Sequence, residues 1–266
     1  MTTNAEATRR GVLGTMAAGV LAAGVAPATA QSGAKTFVLV HGAWHGGWCW
    51  RRVSDLLEKK GHKVFTPTMT GLGACSHLAS KDVNLTTHIT DIVNFIKWED
   101  LSGIVLVGHS YGGYIVSGAA EQIGDKVSSI VFLDAFVPES GESLGAGASQ
   151  PVKDAIAAAL GRGEHSLKPV PASVFRVNEK DRAWVDAKCT PQPIGTFTEA
   201  IKLTGARDKI AKKSYIRAKG YPSVPFDAML AKYQPNSAWK TFEMTAGHDA
   251  MVDQPQELTD LLLQLA

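Results

Sequence analysis

Cysteine is scarce and unpatterned in this chain of 266 residues: only Cys49, Cys75 and Cys189 are present. An odd number without C-x-x-C spacing gives no thioredoxin-like motif and no zinc knuckle, and while an oxidising location would permit a disulfide, the sequence chooses no pair for it. The three read as small buried residues. A dominant charge is also lacking, with 27 Lys and Arg against 25 Asp and Glu. So there is no electrostatic case for nucleic acid or an anionic membrane as a partner. Eight histidines occur, yet their spacings suggest no metal site. No stretch repeats itself at solenoid periods. A run of ~20 strongly apolar residues, the minimum for a spanning helix, is missing.

The first thirty residues differ from the rest. "MTTNAEATRRGVLGTMAAGVLAAGVAPATA" runs from a polar start through Arg9-Arg10 into an Ala/Gly-rich apolar stretch. It ends on Ala28-Thr29-Ala30, a small-x-small cleavage pattern. This is the layout of an export signal of the twin-arginine type. The expectation is a mature chain beginning near Gln31, periplasmic or secreted, with no stable membrane anchor. Without residues 1–30 the formal charge is +1.

What remains reads as an α/β chain. Strands are expected at 36–41, 62–67, 103–108 and 128–134, alternating with helices at 48–60, 85–98 and 111–123. That spacing is the rhythm of right-handed βαβ units, and so of a mainly parallel sheet with helices on both faces. The rhythm lapses over 136–212, where helix-like pieces fall at 151–160 and 196–202. Strands near 213–218 and 239–245 and a helix at 255–265 complete a six-stranded core, formed by 31–135 and 213–266. An insertion between two strands is where a lid is expected.

Gly108-His109-Ser110-Tyr111-Gly112 sits where a strand is predicted to turn into a helix. That context gives a bare G-x-S-x-G its meaning. A sharp turn needs small neighbours at Gly108 and Gly112 and thrusts the Ser110 hydroxyl out at the strand's carboxyl end. It also aims the Tyr111 N–H at whatever Ser110 attacks. A serine needs a base, and the base a carboxylate. His248, after the last strand, is the expected base. The loop after the penultimate strand, 218–225, holds no carboxylate. Asp134, at the end of the strand after the nucleophile's helix, is the preferred acid, with Asp227 in reserve. Ala43, after the first strand, is the second expected oxyanion donor. His41, Trp44 and Trp184 are candidates for the pocket wall. No metal or cofactor is implied.

"FVLVHGAWHGGWCW", "VGHSYGG", "VFLDAFVPE" and "AGHDAM" resemble the α/β-hydrolase superfamily. The likeness is greatest to the branch of plant methylesterases, hydroxynitrile lyases and bacterial pyrethroid-hydrolase-like carboxylesterases. It runs over essentially the whole mature chain. It implies the α/β-hydrolase fold, Ser110 and His248 as catalytic, and Ala43 and Tyr111 as oxyanion donors. The plant acid does not transfer, because Gly220 and Tyr221 lie there. Some haloalkane dehalogenases in the superfamily place the acid where Asp134 falls. The lyases carry a threonine after the first-strand histidine and a lysine after the catalytic one. Gly42 and Asp249 stand there in this chain, and an aspartate facing the site would repel departing cyanide. Ester hydrolysis by an acyl-enzyme is therefore expected, on small hydrophobic esters. A receptor-like member of the fold with little turnover, or a lyase, is the alternative.

Overall fold

The computed structural model describes residues 33–266; the expected signal at 1–30 lies outside them. Strand β1 (Thr36–Val40) leads through a turn of 3-10 helix at Gly47–Trp50 into α1 (Arg51–Lys59). Strand β2 (Lys63–Phe65), α2 (Leu85–Trp98), β3 (Ile104–His109), α3 (Gly112–Ile123) and β4 (Val127–Leu133) follow. The stretch before the next sheet strand carries α4 (Leu144–Gly147), α5 (Gln150–Gly161), β5 (Ser166–Leu167), α6 (Glu179–Lys188), β6 (Gln192–Pro193) and α7 (Gly195–Thr198). Strand β7 (Lys212–Ala218), α8 (Val224–Tyr233), β8 (Trp239–Met244), α9 (Ala250–Asp253) and α10 (Pro255–Leu265) close the chain.

Six strands form one sheet in the order β2-β1-β3-β4-β7-β8, and every pairing in it is parallel. Both faces are covered, which is why β1, β3 and β4 read as unbroken apolar runs. Phe37, Leu39, Val105, Val107, Val131 and Leu133 face one helix layer, where α1 and α10 contribute Val53, Leu57, Leu258 and Leu262. Their alternates Val38, Val40, Leu106, Ile130 and Phe132 face the layer of α2, α3 and α8. At about 25 cal/mol per Å² of apolar surface removed from water, this two-sided burial is what holds the strand ends in place.

Some boundaries differ from expectation. The helix expected from residue 48 begins as 3-10 and becomes α only at Arg51. The helix expected over 196–202 lasts four residues, Gly195–Thr198. Helices α6 and α8 carry no clear sequence period and were not expected. Helix α2 starts where predicted because Asn84 caps it: its side chain accepts from the Thr87 N–H, and the Thr87 hydroxyl accepts from the Asn84 N–H.

Candidate active site

The carboxyl ends of β1, β3, β4, β7 and β8 meet on one side of the sheet, the side where open α/β sheets place their ligands. Ser110 follows β3 directly and has φ 54, the left-handed region. For a non-glycine residue this costs ~1–3 kcal/mol and persists only where the surroundings impose it. Here they do. The Ser110 N–H donates to Leu133 O at 3.2 Å, and its carbonyl accepts from Gly113 N at 3.1 Å and Phe136 N at 3.2 Å. The flanking glycines are required by close approach. A Cβ on Gly108 would lie 2.7 Å from Val116 Cγ2, and one on Gly112 2.9 Å from the carbonyl oxygens of Val40 and His41.

His248 comes from the loop after β8. Its Nδ1–H donates to Asp134 Oδ2 at 2.6 Å, which leaves Nε2 to accept from Ser110 Oγ at 2.9 Å. The ring is held between Phe226, stacked at 14° with centroids 5.3 Å apart, and Phe175, also at 5.3 Å. Its N–H donates to Phe175 O at 2.9 Å, and its carbonyl accepts from His109 Nε2 at 3.0 Å. Burial, the main influence on His109, drives its pKa well below the ordinary value and so keeps that ring neutral.

Asp134 is fully buried at the end of β4. Its second oxygen, Oδ1, accepts from Arg217 Nη1 at 2.7 Å and from the Ala218 N–H at 3.1 Å. Asp227 lies on α8 and is half-exposed, where it accepts from Arg217 Nε and Lys219 Nζ, each at 3.0 Å. Asp134 therefore occupies the position beside the histidine, and Asp227 stands behind Arg217. Neither the Ala43 nor the Tyr111 N–H donates to an acceptor among the described residues.

Of the candidate pocket residues, only Trp44 lies at the site. It has φ 65 and packs between Phe175, at 6.1 Å, and Phe197, at 5.7 Å. Its N–H donates to Gln192 Oε1 at 2.8 Å, its indole N–H to Leu167 O at 3.2 Å, and its carbonyl accepts from Thr190 N at 2.9 Å. These bonds tie the loop after β1 to residues 167–192. His41 is not a wall residue. It is fully buried, donates Nδ1–H to Gly42 O at 2.8 Å and accepts the Met69 N–H at 3.1 Å. Burial lowers its pKa to about 3, which fits that neutral bridging role. Trp184 is turned elsewhere: it packs edge-on against Trp48 at 5.0 Å and under Arg52 at 5.4 Å.

Asp249 also departs from expectation. It does not confront Ser110 but is fully buried, with Oδ2 3.0 Å from His45 Nε2. Its charge is directed at His45, so it does not repel an anion beside Ser110 as expected. Arg217 and Gln192 were missed by sequence reasoning, and His45, which beside the first strand end reads as a pocket residue, is instead buried against Asp249. Arg217 alone left a signal, since an arginine in the penultimate position of a buried strand calls for an anion. Among the described residues no group of three or more His, Cys, Asp and Glu is placed to hold a metal ion, and no helix is long and apolar enough to cross a membrane.

Comparison with known proteins bears on the fold and the family. The chain is 41% identical over 238 residues to a carbendazim hydrolyzing esterase of Nocardioides sp. (strain SG-4G), across 86% of this chain and 98% of that one. It is 28% identical to methylesterase 10 of Arabidopsis thaliana, across 86% and 91%. An extracellular α/β-hydrolase from a Paenibacillus species superposes with a TM-score of 0.77 at 24% identity, covering 87% of this chain and 99% of that one. The profile of the alpha/beta hydrolase family matches residues 37–261, and the chain belongs to that family.

Proposed function

We propose that this protein is a serine carboxylesterase that hydrolyses small hydrophobic esters through an acyl-enzyme. One observation carries the reading: an unbroken hydrogen-bond chain from Ser110 through His248 to Asp134, opening beside two unused backbone N–H groups. In this reading His248 takes the Ser110 proton as Oγ attacks the ester carbonyl. The Ala43 and Tyr111 N–H groups hold the oxyanion, a contribution of ~3–4 kcal/mol per donor in related chemistry. Asp134 keeps His248 in the tautomer with Nε2 free and stabilises the imidazolium. The alcohol leaves with the proton from His248, and water then releases the acid by the same route.

One feature supports a hydrophobic substrate: the groups around Ser110 and His248 include the rings of Trp44, Phe175, Tyr221 and Phe226. The 41%-identical relative is named a carbendazim hydrolyzing esterase, which makes carbendazim a compound to test. In this reading residues 136–212 act as a lid, since Phe175 and Gln192 from that stretch touch His248 and the oxyanion loop. The test is turnover of p-nitrophenyl acetate and of carbendazim, comparing wild type with Ser110→Ala. Hydrolysis lost in the variant is expected. A folded wild type that turns over neither compound would leave a binding role.

Export is proposed on the sequence of residues 1–30 alone. Protein recovered from outside the cytoplasm should begin near Gln31. A full-length N-terminus retained in the cytoplasm would refute it.

A further inference from the structure

The triad acid and the penultimate strand stand in an unusual relation. A family member of the plant type has its carboxylate after β7; this chain has a cation at the end of that strand. Arg217 is 1% exposed in its side chain. Every part of its guanidinium is engaged: Nη1 with Asp134 Oδ1 and the Ala218 carbonyl, Nη2 with Tyr221 O at 2.7 Å, Nε with Asp227 Oδ1 at 3.0 Å. It also lies over Phe226, 6.0 Å from the ring that stacks on His248. Burial opposes its charge, but the Asp134 and Asp227 carboxylates outweigh that and keep it protonated.

We propose that Arg217 is a positioning residue: it clamps the Asp134 carboxylate in the orientation His248 needs, and Asp227 tempers the charge they feel. The proposal rests on the serine-esterase reading above. Asp134 leaves β4 with φ 42, so its carboxylate is set by the turn and by its partners, not by a regular strand. One oxygen serves His248. The other needs donors of fixed direction, and a buried guanidinium supplies one beside the Ala218 N–H. Such a cation has a drawback, because it disfavours the imidazolium that His248 becomes. Asp227, 46% exposed in its side chain, sits on the far side of Arg217 and offsets part of that field.

A purely structural stitch and this arrangement differ in their pH signature. Protonating His248 stops its work as a base, so kcat/KM falls on the acid side. Removing the cation favours the imidazolium and moves that limb up; removing Asp227 moves it down. Other groups facing His248 stay the same in both variants. Ser110, Tyr221, Phe175 and Phe226 carry no charge there, His109 is neutral by burial, and Asp249 is paired with His45.

The experiment is the pH profile of p-nitrophenyl acetate hydrolysis for wild type, Arg217→Met, Arg217→Lys and Asp227→Asn, with Ser110→Ala as reference. For Arg217→Met the acid limb should rise by about one pH unit and kcat should fall ~10-fold or more. Arg217→Lys should leave the limb near its wild-type place and restore part of kcat. Asp227→Asn should lower the limb by a few tenths of a unit, as expected for a half-exposed charge. A limb that stays fixed in all variants, or moves the same way in Arg217→Met and Asp227→Asn, overturns the proposal. If Arg217→Met does not fold, the exposed-site variant decides: no downward shift in Asp227→Asn overturns the proposed tempering and, with it, the proposal. Turnover surviving in Ser110→Ala would instead refute the underlying serine reading.

Discussion

Asp249, the residue after His248, is locked against His45, two residues beyond Ala43. The carboxylate Oδ2 and ring Nε2 are 3.0 Å apart, and the ring's Nδ1–H donates to Ala43 O at 2.8 Å. One buried pair thus joins the loop carrying His248 to the loop carrying Ala43. Burial opposes both charges. Even so, Asp249 holds His45 well above its ordinary pKa, and His45 holds Asp249 below the usual carboxylate range.

Breaking such a pair from one side leaves a buried charge alone, a cost of about 3–5 kcal/mol. Asp249→Asn should lose that much stability near pH 5.5. The depressed carboxylate contributes above its unfolded value of about 4 and loses its contribution as pH falls. The raised imidazole contributes fully below about 6.5 and loses its contribution as pH rises through its folded value. Urea unfolding at pH 3, 5.5 and 9 should therefore show the largest gap between wild type and variant at the middle pH. A gap that grows steadily in either direction contradicts the pairing.

The acid is tested by two neutral substitutions. Asp134→Asn leaves the shape but forces the wrong histidine tautomer, and kcat should fall ~10³- to 10⁴-fold. Asp227→Asn, which reaches His248 only through Arg217, should cost less than ~10-fold. Steady-state kinetics on one ester separates them, and the reverse order would move the triad acid to α8.

Gly113 is a sterner constraint than the motif glycine before it. A Cβ there would lie 1.9 Å from Phe136 O, against 2.9 Å from backbone oxygens at Gly112. Gly113→Ala should lower the melting temperature more than Gly112→Ala, and only Gly113→Ala should exceed the ~1–3 kcal/mol of ordinary overpacking. Thermal denaturation ranks the two, and equal melting would show that the elbow relaxes freely.

Gln192 bonds the loop after β1 from a distant part of the chain. It is fully buried, accepts the Trp44 N–H and donates to Thr196 Oγ1 at 2.7 Å. Gln192→Leu fills a similar volume but strands the Trp44 N–H beside Ala43. The expected result is a kcat reduced by about tenfold, the order of one lost buried hydrogen bond. Unchanged kinetics would mean the loop holds itself.

The six sheet strands and the serine turn were legible because their signals are local: apolar runs, β–α rhythm and glycines at fixed offsets. The place of Asp134 beside His248 was legible from its strand end and from residues 218–225, which offer no carboxylate. The clamp and the loop tie were not. Arg217–Asp134, Trp44–Gln192 and His45–Asp249 join positions far apart in the chain, and no local period encodes such pairs. His41 and Trp184 misled for a related reason: neither nearness to a strand end nor a place in the insertion says which way a side chain points.

Ser110 is the proposed nucleophile. The most direct measurement is peptide mapping by mass spectrometry after treatment with diisopropyl fluorophosphate. One phosphoryl adduct on Ser110, formed in step with loss of ester hydrolysis, is the predicted result. An enzyme that keeps its activity unlabelled, or loses it with the adduct on another residue, would contradict the account.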